Sequence, residues 1–99
     1  MPILTCHRVK FFSQGDELLF FSWLDKIKVI RRWEGKGESI MLHVSSRMSA
    51  RDLRELLALF HRYKVDMRQL AQFQSASTRA WFAGPLKYWH KRVFFGVAN

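Results

Sequence analysis

Four histidines (His7, His43, His61 and His90) and a lone thiol, Cys6, are the side chains here best suited to hold a metal or act as a nucleophile. Zinc sites show paired ligands such as C-x2-C or H-x3-H, spacings that bring two donors to one ion. None of these five is so paired. Cys6 and His7 are adjacent, and neighbouring side chains on a strand point to opposite faces. No metal or other cofactor is expected.

Cys6 within an apolar strand reads as a small buried hydrophobe, although Arg8 and Lys10 nearby are the kind of neighbours that favour a thiolate. No G-x-S-x-G elbow, Walker loop or dinucleotide glycine pattern is present. Gly35-Lys36-Gly37 is too short to cradle a phosphate and suits a hairpin turn. Asp16, Asp52 and Asp66 stand where helices are expected to begin, so capping accounts for them and no acid/base pair remains. The chain reads as non-catalytic.

Charge and rings carry more weight. Lys and Arg number 17 against 8 Asp and Glu, a net charge of +9 over 99 residues. That balance attracts polyanions and says nothing about fold. Lys26, Lys28, Arg31 and Arg32 lie close together; after Asp66 no acid follows, while Arg68, Arg79, Lys87, Lys91 and Arg92 do. Phe73, Trp81, Phe82, Tyr88, Trp89, Phe94 and Phe95 share that last stretch. Cations interleaved with rings are what single-stranded nucleic acid uses, phosphates on the first and bases on the second. The candidate anion contacts are Lys28, Arg32, Lys87, Lys91 and Arg92, with Trp81 and Trp89 as aromatic contacts. The segment SIMLHVS nevertheless lacks the rings with which an RNA-recognition sheet stacks bases.

The elements that position these residues follow from periodicity. Residues 48–73 carry the firmest pattern. Ser49 and Asp52 form an S-x-x-D cap, and Met48 and Leu53 occupy the staple positions. Leu53, Leu56, Leu57, Phe60 and Tyr63 share one arc, with Leu59 on its flank, and Arg51 and Glu55 have ion-pair spacing. Asp66 and Gln69 repeat the capping pattern for a short second helix using Met67, Leu70, Ala71 and Phe73.

Upstream, residues 3–12 read as a strand with Ile3, Val9 and Phe11 on one face and Cys6, Arg8, Lys10 and Phe12 on the other. Residues 13–27 read as a helix capped by Ser13 and Asp16, with Leu19, Phe20, Trp23, Lys26 and Ile27 at helical spacing; a Phe-rich hairpin is the rival. Residues 28–33 and 40–45 form a hairpin. Val29, Trp33, Ile40, Leu42 and Val44 face the helices, Lys28, Ile30, Arg32, Met41 and His43 face away, and Arg31 is a misfit. A small-residue linker leads to Gly84, and a last helix starts at Pro85 with Leu86, Trp89 and Val93 at its contacts.

The expected class is α+β in the order β-α-β-β-α-α. It has a three-stranded antiparallel sheet, helices packed on one face and a C-terminal helix, all in a single domain over residues 1–99. No unbroken apolar run exceeds five residues, far too short to span a membrane, and one cysteine rules out an internal disulfide. A cytoplasmic setting without membrane contact is expected. Two functions follow: an interaction module that binds a protein partner or its own copy through exposed rings, or weak, largely non-specific nucleic-acid binding through the basic surface.

Overall fold

The computed structural model describes residues 2–96. Its elements are β1 (Ile3–His7), α1 (Gln14–Lys26), β2 (Ile30–Lys36), β3 (Ser39–Val44), α2 (Ala50–Arg62), a 3₁₀ helix (Met67–Phe73), α3 (Arg79–Phe82) and α4 (His90–Phe94). The sheet order is β1-β3-β2 with both pairings antiparallel, the α+β arrangement that the order of segments predicts.

α2 forms as its pattern dictates. The Ser49 hydroxyl accepts from the Asp52 amide at 3.1 Å, and Leu53, Leu56, Leu57, Leu59 and Phe60 have no exposed surface. The helix ends in a Schellman motif: the Val65 amide donates to the Phe60 carbonyl at 2.9 Å and Lys64 takes φ 57°. Val65 and Phe60 are both buried, which supplies the apolar contact that accompanies this cap.

The next helix is 3₁₀ rather than α. At three residues per turn, Met67, Leu70 and Phe73 fall in one line, and all three are buried. Its Gln69 completes the sheet. The side-chain carbonyl accepts from the Thr5 amide at 2.6 Å, and the side-chain amide donates to the Thr5 carbonyl at 2.9 Å. One side chain thus stands in for a neighbouring strand along the outer edge of β1.

Three expectations need correction. β1 stops at His7, because Arg8 takes φ 53° and its amide turns to the Glu38 carbonyl at 2.9 Å. With alternation broken there, Val9 and Phe11 say nothing of the strand's phase. Leu4 and Cys6 point inward at 0% exposure, while Ile3 is 49% exposed. In β2 the register shifts between Ile30 and Arg32, so Arg31 is a bulge. Ile30 therefore lies across from Val44 on the covered side and Arg32 across from His43 on the open side, which removes the Arg31 misfit. At the other end, residues 85–89 are turns and the helix begins only at His90. Gly84 offers no capping side chain before Pro85, and Leu86 is 98% exposed.

α1 is the helix of the two rival readings, with the Ser13 hydroxyl accepting from the Asp16 amide at 3.1 Å. Its inward line is Phe20, Leu24 and Ile27, whereas Leu19 is exposed and Trp23 half-buried. Phe20 joins Tyr63, the residue that caps the end of α2, edge-to-face at 4.8 Å between ring centres and so fastens α1 to α2.

Candidate interaction surface

The residues that suggested chemistry do not converge on one site. Cys6 is wholly buried and burial pushes its thiol up to about 12, so it is held as a protonated small hydrophobe. His7 pairs with the Ser39 hydroxyl at 2.8 Å and His43 with Glu34 at 3.0 Å, both across strand pairs on the open sheet face. The bond from His43 holds the Glu34 carboxyl below its usual range, with Arg32 adding to the effect. His61 lies against the Arg92 guanidinium at 2.9 Å and the Tyr88 ring at 4.7 Å. His90 packs on Phe94 and Phe95. Among the described residues, no group of three or more His, Cys, Asp or Glu side chains could hold a metal ion. No described helix is long and apolar enough to cross a membrane.

The five candidate anion contacts fall into two groups. Lys28 is exposed just before β2, and Arg32 lies on the open face of β2, 3.9 Å from Glu34. Lys87, Lys91 and Arg92 belong to the C-terminal segment, whose α4 packs on the 3₁₀ helix beyond the opposite sheet edge. The width of the sheet separates the two groups. Arg92 is half-buried, and desolvation lowers its pKa.

The aromatic candidates also divide. Trp89 is 7% exposed and its indole donates to the Phe82 carbonyl at 2.8 Å, so it packs in the core. Trp81 is half-buried beneath the Arg54 guanidinium, 4.4 Å from the ring centre. Most rings thus pack in the core or against it; Phe12, Tyr88 and Phe95 are the ones that reach well into solvent.

A different surface emerges on α1. Phe12 just before the helix is 82% exposed, and Leu18 and Leu19 within it are 65% and 67% exposed. Each residue advances about 100° around a helix, so a run of four apolar side chains at 18–21 cannot all face the core. Phe20 goes in, Phe21 leans onto Trp33 at 4.7 Å, and the two leucines are left outward. That run was the signal in the sequence for this surface.

Beside Leu19 an open groove of about 450 Å³ runs along the seam between α1 and α2. Two hydrogen bonds orient the helices. The Tyr63 hydroxyl donates to the Asp16 carbonyl at 3.4 Å, and the Trp23 indole donates to Glu55 at 3.0 Å, so the helices run antiparallel. The groove's ring and leucine contacts are Leu19, Trp23 and Tyr63. Asp16 and Arg62 stand at one end, Lys26 and Glu55 at the other. Burial raises the Tyr63 phenol further above its ordinary value, so it remains a neutral donor. Glu55 serves Trp23, where the sequence had suggested Arg51 as its partner.

Comparison with protein-family models, with curated proteins and with solved structures returned no match.

Proposed function

We propose that this chain is a non-catalytic interaction module that binds a protein through the outward face of α1 and the adjoining groove. The observation that carries the reading is the exposure of Leu18 and Leu19 on a helix whose inward line is already complete with Phe20, Leu24 and Ile27. Covering Phe12 and the two leucines would gain roughly 5–9 kcal/mol of gross transfer free energy, at about 1.5–3 per side chain. Association costs consume much of that, so these three side chains supply only part of the binding free energy, the groove must add contacts of its own, and a weak, reversible complex is expected. The mixed charge of the groove supports a protein occupant over a polyanion. A cytosolic setting suits the module, since its single thiol is buried and the fold uses no disulfide.

The test is site-specific photo-crosslinking in cells, with the reactive side chain placed at Leu18 or Leu19, and at Lys36 as a control. Protein adducts at the two α1 positions and none at the control are expected. Adducts at no position, or equally at all three, would overturn the reading.

A second reading rests on Tyr88 and Phe95, 51% and 70% exposed on the segment that also carries Lys87 and Lys91. It is weak, sequence-independent nucleic-acid binding. Counterion release predicts gel shifts at low salt that fade steeply as salt is added. No shift at micromolar protein in low salt removes it.

A further inference from the structure

We infer that the occupant of the α1 face is a second copy of this chain, related by a two-fold axis that crosses α1 and α2 at right angles. The inference rests on the interaction-module reading and names its partner. It comes from the placement of charge. The groove carries an acid and a base at each end, Asp16 with Arg62 and Glu55 with Lys26. Turning a second copy over on this axis lays α1 antiparallel on its counterpart. Asp16 then meets the other copy's Lys26, Arg62 meets the other copy's Glu55, and each pairing occurs twice, as an isologous interface requires.

Both pairings must centre on one axis, and they do. Asp16 and Lys26 have their midpoint at Phe21; Glu55 and Arg62 have theirs between Ala58 and Leu59. The Tyr63–Asp16 and Trp23–Glu55 bonds set Phe21 about level with Leu57. The two midpoints therefore differ by roughly 2 Å along the helices, at about 1.5 Å of rise per residue. The apolar side chains match too, since the same rotation brings Leu19 over the other copy's Trp23. A two-fold axis along the groove would also oppose unlike charges. It would, however, lay the exposed leucines on the side of α2 that carries Glu55 and Arg62, burying charge against apolar surface. Each helix is about 20 Å long, so the two-helix face is at the small end of stable interfaces and a reversible dimer is expected.

Sedimentation equilibrium at about 0.15 M salt, where long-range repulsion between exposed charges is largely screened, tests this with charge reversals. The parent should dimerise at micromolar concentrations. Arg62→Glu opposes Glu55 of the other copy, and Glu55→Arg opposes Arg62; each alone should weaken the dimer at least tenfold. An equimolar mixture of these two variants should recover the parent's affinity as a heterodimer, because every contact in it is then between unlike charges. The exposed change Lys26→Glu, which disturbs no hydrogen bond within the chain, should weaken the dimer as well. Circular dichroism confirms that each variant is folded.

A parent that stays monomeric at several hundred micromolar overturns the inference, as does a dimer indifferent to these reversals or a mixture that fails to recover. The crosslinks separate this failure from that of the underlying reading. Adducts at Leu19 with a different protein keep the docking surface and remove the second copy. A monomer with no adducts removes both.

Discussion

Replacing Gln69 by leucine should cost this fold much more than an exposed glutamine normally would. The side chain donates to the Thr5 carbonyl and accepts from the Thr5 amide, closing the outer edge of β1, and its amide also bonds the Asp66 carbonyl at 2.8 Å. Leucine keeps the bulk and loses every one of these bonds. The two edge bonds alone, at about 0.5–1.5 kcal/mol each, give a loss of roughly 1–3 kcal/mol. For a chain of this size that lowers Tm by about 5–20 °C. Gln69→Glu separates donor from acceptor. Its carboxylate can still accept from the Thr5 amide but faces the Thr5 carbonyl with no proton to give. Protonation restores the donor, so the folded state holds that proton more tightly than the unfolded chain and the variant's carboxyl pKa is raised on folding. The stability so gained is present below the unfolded carboxyl pKa, about 4.3, and is lost as pH rises through the higher folded value. Thermal melts between pH 4 and 7, with amide exchange at Thr5, read both effects. A leucine variant that melts within about 2 °C of the parent would show that water satisfies this edge and that the glutamine is dispensable.

Other outcomes follow from the same geometry. Lys64→Gly relieves a side chain held at φ 57° in the Schellman turn and should stabilise the fold by about 0.5–1 kcal/mol, seen in urea denaturation. Cys6 should resist thiol reagents at pH 8 until the chain unfolds, because the buried thiol ionises only near pH 12; rapid native labelling would contradict its burial. Burial, with Arg92 adding to it, holds the His61 pKa below its ordinary 6.5. A depressed folded value means this contribution to stability is intact above pH 6.5 and is lost as pH falls through the lower folded pKa; NMR titration should show Arg92→Ala moving His61 back upward.

How much of this was legible in the sequence depends on where local and tertiary signals agree. α2 was readable almost residue by residue, since its cap, staple and apolar arc all specify one helix. β3 was readable by face as well, with Ile40, Leu42 and Val44 toward the helices, but β1 and the start of β2 were not, because a single left-handed residue, Arg8, and a single bulge, Arg31, each reset a pattern of period two. The C-terminal segment was misread for another reason. The spacing of Trp89 and Val93 does mark two core contacts, but Leu86, in line with them, stays in solvent and Phe82 enters the core from a single helical turn, placements that no periodicity records. Among the site residues, Lys28, Arg32, Lys87 and Lys91 are exposed as expected but lie in two places, since composition counts charges without locating them. Trp89, a helix contact by its spacing and a candidate aromatic contact by its cationic neighbours, packs inside. The leucines at 18 and 19 were visible as an apolar run, and only the position of the core line showed that they face outward.

The two functional readings respond to salt in opposite directions. Each copy carries +9, and stacking two with centres about 25 Å apart costs about 6 kcal/mol of screened repulsion at 0.01 M salt and about 0.6 kcal/mol at 0.15 M. Self-association should therefore strengthen as salt rises over this range. Most of the positive excess lies away from the proposed interface, for α1 itself bears Asp16, Glu17 and Asp25 against a single Lys26. Contacts at that face are short, so screening weakens them less than it weakens the repulsion between whole molecules. Nucleic-acid binding loses affinity over the same range, because each neutralised phosphate releases counterions into a more concentrated bath. A dimer that tightens while gel shifts disappear is what the α1 face predicts. A dimer that loosens in step with nucleic-acid binding would mean that contact with a polyanion, and not the leucines, holds the copies together.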